Sequence, residues 1–84
     1  MSFTLVYTQR AYRDIKKLEP SERNRIGKAL LRYQEEPLKY ADKIKDKKLG
    51  AYRFRIGDYR AIFDLEKDNI VILRVGHRRD IYRR

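Results

Sequence analysis

Apolar and polar positions alternate through "SFTLVY" (residues 2–7), which sets Phe3, Leu5 and Tyr7 on one side and predicts a first strand. The period then lengthens. Ala11, Tyr12, Ile15 and Leu18 recur at helical spacing behind Thr8, a good N-cap residue. Pro20 closes that helix and suits the first turn of a second, running to about Glu35 with Ile26, Leu30 and Tyr33 inward and Arg23, Lys28 and Arg32 outward. Pro37 stops it, so the pair reads as an antiparallel helical hairpin. "PLKYADKIKDKKL" (37–49) shows no sustained period and reads as a loop with a helical turn at most, ending near the sheet.

Period-two patterning returns over about 51–56, 59–66 and 70–76. Gly57-Asp58 suits a two-residue hairpin turn. Counting outward from it pairs Ile56 with Tyr59, Arg55 with Arg60, Phe54 with Ala61 and Arg53 with Ile62. The next turn, "EKDN", has a length that the pattern leaves open. An even loop puts His77 on the face of Arg53, Arg55 and Arg60, and an odd loop puts it on the other. The order is β-α-α-β-β-β, one α+β domain spanning 1–84. Its helical hairpin covers one face of a mostly antiparallel four-stranded sheet, on which Tyr52, Phe54, Ile56, Tyr59, Phe63 and Leu65 face inward. Lone Gly27 reads as a point of close helix packing.

Charge is more informative than composition. Eighty-four residues carry a net charge of +10, spread over both halves, which fits a polyanionic partner such as nucleic acid or an acidic protein. There is no cysteine and a single His, so a thiol nucleophile, a disulfide and a recognisable zinc constellation all drop out. No apolar run approaches a membrane span and the N-terminus does not read as a signal peptide, so a cytoplasmic location is expected, with no membrane partner. A like-charged pair directly opposite on a sheet is destabilising. Placing Arg55 against Arg60, with Arg53 nearby, therefore calls for a reason.

"KKLGAYRFRIGDYRAIFDLEKDNIVILRVGHRRDIY" resembles the RelE/ParE superfamily of toxins, chiefly in a Leu-Gly before a Tyr-Arg-x-Arg strand, "GDYRAIF" after it, and "ILRVGHRRDIY" at the end. These marks occupy roughly the last 36 residues; the first 48 agree in layout alone. The resemblance implies the toxin of a type II toxin–antitoxin system. For the RelE branch it further implies a ribosome-dependent endoribonuclease that cuts mRNA in the A site, with no cofactor. There the ribose 2′-OH attacks the adjacent phosphate and the 5′-oxygen leaves. It also implies a cognate acidic, RelB-like antitoxin, the ribosome and mRNA as partners, and operator DNA only through the antitoxin complex. Residue by residue, Arg53 and Arg55 match the alternate basic pair of the first hairpin strand, where RelE has lysines. Arg60 matches the arginine opening the second strand, Arg78 the arginine after the "VG" step, and Tyr82 the late tyrosine. His77 falls at a position that is often basic.

The chemistry stands beside the resemblance. Internal attack on a phosphodiester builds charge on the non-bridging oxygens, and guanidinium forks aimed there stabilise it. Arginine is a poor base, so the proton transfers fall to His77, of the residue type that ordinarily titrates near neutrality, or to Tyr82; the residues do not rank the two. Lys43, Lys45, Lys47, Lys48, Arg79 and Arg83 fit contacts to an RNA backbone that carry no base specificity. Plainer readings exist for each: a solvated strand face for the arginines, a strand-end His77, a Tyr82 folded back on the sheet, and an Asp58 that serves the turn. Two rival functions remain. The ParE branch shares the fold and poisons DNA gyrase, generally without the basic-and-tyrosine constellation, and a non-catalytic nucleic-acid-binding module would need neither His77 nor Tyr82.

Overall fold

The computed structural model describes residues 3–82. Its elements run β1 (Thr4–Tyr7), α1 (Gln9–Lys16), α2 (Pro20–Tyr33), α3 (Pro37–Tyr40), β2 (Ala41–Lys43), β3 (Tyr52–Ile56), β4 (Tyr59–Glu66) and β5 (Asn69–His77). The sheet has five strands in the order β1-β5-β4-β3-β2. After β1 the chain crosses the sheet through the helices and re-enters at the far edge as β2. It then meanders back until β5 lies parallel to β1; all other pairings are antiparallel.

Thr8 caps α1 as expected, accepting from the Ala11 amide at 3.1 Å while its hydroxyl donates to the Leu73 carbonyl at 3.2 Å. One side chain thus ties the first helix to the last strand. Pro20 occupies the first turn of α2. Ala11, Ile26, Ala29 and Leu30 close over Phe54, Ile56, Ala61, Phe63, Ile70, Ile72 and Val75 to form the core. Phe54 and Phe63 stack at its centre, ring centroids 4.2 Å apart. Of the six residues expected on the covered face, Phe54, Ile56 and Phe63 are buried, and Tyr52, Tyr59 and Leu65 pack against them half-buried.

Three expectations need correction. The 37–49 segment holds the expected helical turn, opened by Pro37, but it is more than a loop beyond it: Ala41–Lys43 pairs with β3, giving the sheet a fifth strand. Its three residues carry no alternation, so pairing with β3 defines it. Tyr12 turns outward, 59% exposed, instead of joining the helix's buried stripe. Gly27 is not a close-packing point, since a Cβ there would meet nothing within 4 Å. It lies instead on an apolar groove of about 300 Å³ shared with Tyr7, Tyr12, Ile15, Ile26 and Leu30. Outside the main core, Ile62 and Ile81 are also buried, and Ile81 packs its Cδ1 where a Gly76 side chain would stand.

The β4–β5 ladder is interrupted. Glu66 pairs with Asn69 across a two-residue turn, an even loop, with Lys67 at φ 56°. The register shifts between Ile62 and Phe63, however, because Leu73 is an extra residue on β5: Phe63 faces Ile72, and Ile62 faces Arg74. That single bulge reverses the parity beyond it.

Candidate nucleic-acid interface and active site

The β3–β4 register matches the count from the turn at every pair, Ile56 with Tyr59 through Arg53 with Ile62. Gly57 takes φ +61°, and the guanidinium of Arg25 presses on the face where a Cβ would project. Arg53, Arg55 and Arg60 consequently share the face of the sheet that the helices leave open.

On that face the cations are anchored in different ways. Arg55 Nε lies 3.0 Å from Asp42 Oδ2, and Arg53 Nε lies 3.7 Å from the same oxygen. Arg53 Nη1 donates to the Tyr82 hydroxyl at 2.9 Å, with its guanidinium 5.9 Å from the Tyr82 ring centroid. Arg60 curls back, donating through Nη1 to the carbonyls of Gly57 at 2.9 Å and Tyr59 at 2.8 Å. The Arg55–Arg60 pair is thus relieved in the free protein by divergence, one member to a carboxylate and the other to turn carbonyls.

The chain after β5 is what brings Tyr82 here. The amides of Asp80 and Ile81 both donate to the His77 carbonyl at 2.9 Å, closing a turn. Ile81 then seats over Gly76, and the Arg78 amide donates to the Asp58 carbonyl at 2.8 Å, fastening the segment to the β3–β4 hairpin. Arg78 Nε stands 3.9 Å from Asp58 Oδ1, so Asp58 serves both the turn and this cation.

His77 is elsewhere. The Leu73 bulge sets it opposite Tyr59, on the helix-covered side at the rim of the sheet, with the two rings edge to face at 5.5 Å. Its Nδ1 accepts from the Arg79 amide at 3.1 Å. It borders a recess of about 420 Å³ with Lys17, Tyr59, Arg74 and Asp80. The structure therefore groups Arg53, Arg55, Tyr82 and the unforeseen Asp42. It turns Arg60 toward the hairpin, holds Arg78 at the turn, and sets His77 apart from them.

Of the expected backbone-contacting residues, Lys43 ends β2, and Lys45, Lys47, Lys48 and Arg79 are exposed. Lys43 and Lys47 line a recess of about 270 Å³. Arg83 lies outside the described residues. A further basic feature joins helix to sheet: Arg25, Lys28 and Arg32 of α2 converge with Arg55 around a cleft of about 320 Å³. Lys28 and Arg32 were legible as outward-facing, with Arg23, but Arg25 was not named, and Arg55 completing the cleft depends on how α2 crosses β3. Asp14 was also missed. Its carboxylate accepts from Arg74 Nε at 2.7 Å, Arg74 Nη2 at 3.3 Å and the Val75 amide at 3.0 Å, locking α1 to β5 just past the bulge.

Relatives share this architecture. Residues 5–82 match the family model described as the ParE toxin of type II toxin–antitoxin systems, parDE. Toxin RelG of Mycobacterium tuberculosis is 37% identical over 91 aligned positions, covering the whole of both chains. Among solved structures, the toxin–antitoxin complex RelBE2 from Mycobacterium tuberculosis superposes with a TM-score of 0.84 at 28% identity, covering 92% of this chain and 99% of the other. The RelB–RelE antitoxin–toxin complex from Methanococcus jannaschii gives a TM-score of 0.71 at 29% identity, covering 92% and 94%. With a matching family model over nearly its whole length and a full-length relative, the chain belongs to the RelE/ParE family, as the toxin of a type II toxin–antitoxin system.

Proposed function

We propose that this toxin is a ribosome-dependent endoribonuclease that cuts mRNA in the A site by attack of a ribose 2′-OH on the adjacent phosphate. The observation that carries the reading is the 2.9 Å contact between Arg53 Nη1 and the Tyr82 hydroxyl on an open cationic face, formed across 29 residues of chain. A tyrosine that only folded back for packing would bury its ring, whereas Tyr82 is 36% exposed. In this reading Arg53 and Arg55 take the scissile phosphate, their terminal N–H groups offsetting the charge that grows on its non-bridging oxygens. Arg60 and Arg78 swing from their carbonyl and carboxylate anchors to complete the clamp. Tyr82 relays a proton at the reacting oxygens. His77, set at the opposite rim, serves as acid or base only if the RNA backbone wraps around the end of the sheet, so Tyr82 is the first choice.

The cleft of Arg25, Lys28, Arg32 and Arg55 opens beside this face and suits an acidic partner. We assign it to a RelB-like antitoxin laid across it, consistent with relatives solved as complexes with such proteins. The lysines at 43, 45, 47 and 48, with Arg79 and Arg83, contact RNA backbone. The reaction runs in the cytoplasm, where ribosomes are. Primer extension on translating ribosomes tests the reading. Cuts within codons that vanish in Arg53→Ala, with the fold retained, are the expected result. Intact message with accumulating cleaved DNA identifies a gyrase poison instead, and binding without either cleavage identifies a non-catalytic module.

A further inference from the structure

Asp42 stands where a purely cationic site has no need of a carboxylate. β2 pairs Ala41 with Phe54, Asp42 with Arg53 and Lys43 with Tyr52, which sets Asp42 on the open face directly beside Arg53 and diagonal to Arg55. One oxygen, Oδ2, forms ion pairs with both arginines at Nε, at 3.0 Å for Arg55 and 3.7 Å for Arg53; the second is too long for a hydrogen bond, and Arg53 Nε has no hydrogen-bond partner. The Nε edge is the inner edge of a guanidinium. An ion pair at that edge biases the orientation of the group and leaves the terminal nitrogens to donate outward. Arg53 uses one of them for Tyr82. Asp42, Arg53 and Tyr82 thus form a continuous chain of polar contacts drawn from β2, β3 and the C-terminal segment, with Arg55 attached at the same carboxylate.

Two physical effects of that carboxylate oppose each other. Its charge weakens the pull of the face on any polyanion. Its contacts restrict arginine side chains that would otherwise sample many rotamers, which favours catalysis when geometry must be held. If screening dominated, removing the charge would improve both capture and cutting. If orientation dominates, removing it leaves capture intact or tighter while cutting slows.

We propose that Asp42 is a positioning residue whose ion pairs at the Nε edges of Arg55 and Arg53 aim their terminal N–H groups at the scissile phosphate and keep Arg53 against the Tyr82 hydroxyl. The inference rests on the nuclease reading for its kinetic arm, but not for its structural one. The test compares wild type, Asp42→Asn and Asp42→Glu. It measures single-turnover cleavage of mRNA on programmed ribosomes over a range of toxin concentrations, the arginine side-chain Nε–Hε resonances of the free protein, and thermal melting. In Asp42→Asn the saturating cleavage rate falls about tenfold while the half-saturating concentration stays the same or drops, the signature of a contact that matters in the transition state. The Arg53 and Arg55 Hε resonances shift, and Asp42→Glu recovers part of the rate. An unchanged or faster rate in Asp42→Asn overturns the proposal, as does a rate loss matched by a melting loss that Asp42→Glu does not relieve. If wild type does not cut, the nuclease reading fails on its own terms. The resonances then decide the ion pairing: their shift in Asp42→Asn supports it, and unchanged signals overturn it.

Discussion

The anchors of the open-face arginines differ in kind, and so do the consequences of removing them. Tyr82→Phe deletes only the oxygen that meets Arg53. On a side chain this exposed the substitution leaves stability within about 0.5 kcal/mol, yet on the proposed nuclease reading, in which Tyr82 relays a proton, it lowers cleavage by about 10²-fold. Ribosomal cleavage rates and a melting curve measured side by side separate the two. Asp14→Ala has the reverse profile. It strands Arg74 and the Val75 amide in a half-buried setting and costs about 2–3 kcal/mol of stability, read by urea denaturation, because hydrogen bonds to a charged group are lost. Tyr7 contributes a pH dependence at the alkaline end. Partial burial raises its phenol above its ordinary value of 10.0, so the folded state keeps that proton longer than the unfolded chain does. Its contribution is complete below about pH 10 and is lost as pH rises through the raised value, a loss that Tyr7→Phe removes from a denaturation series.

At the scale of elements, what was legible followed from local rules. The Gly57-Asp58 turn fixes the register of β3 and β4 because a two-residue loop leaves one way to pair the flanking strands. Thr8 and Pro20 mark helix starts for similarly local reasons. What failed was nonlocal. β2 is three residues, "ADK", with no apolar alternation, and it exists as a strand through its pairing with β3. The Leu73 bulge leaves no mark in "IVILRV", which is apolar enough for either parity, so the side on which His77 lies was undecidable from the pattern. The face that Arg53 and Arg55 share was readable; that Asp42 and Tyr82 meet them there was not, since one arrives on an unforeseen strand and the other through the seat of Ile81 on Gly76. Gly57→Ala tests the hairpin itself. A Cβ in this left-handed conformation costs about 1 kcal/mol before the displacement of Arg25 is counted. A fall in melting temperature of at least about 5 °C is expected for a chain of this size.

Across the whole molecule, a net charge of +10 makes association with any nucleic acid steeply dependent on salt. The cleft residues Lys28 and Arg32 lie away from the Tyr82 contact, so replacing both by Ala is predicted to weaken acidic partners without altering the chemical step. Antitoxin affinity measured across an ionic-strength series becomes both weaker and flatter, and the saturating cleavage rate stays at the wild-type value. The chemistry at the open face is tested most directly by the ends of the RNA it leaves. Internal 2′-OH attack predicts a 2′,3′-cyclic phosphate upstream and a 5′-hydroxyl downstream of each cut on the ribosome, and no cut where the scissile ribose is replaced by 2′-deoxyribose. A 5′-phosphate product, or undiminished cutting at the deoxy position, would contradict the account.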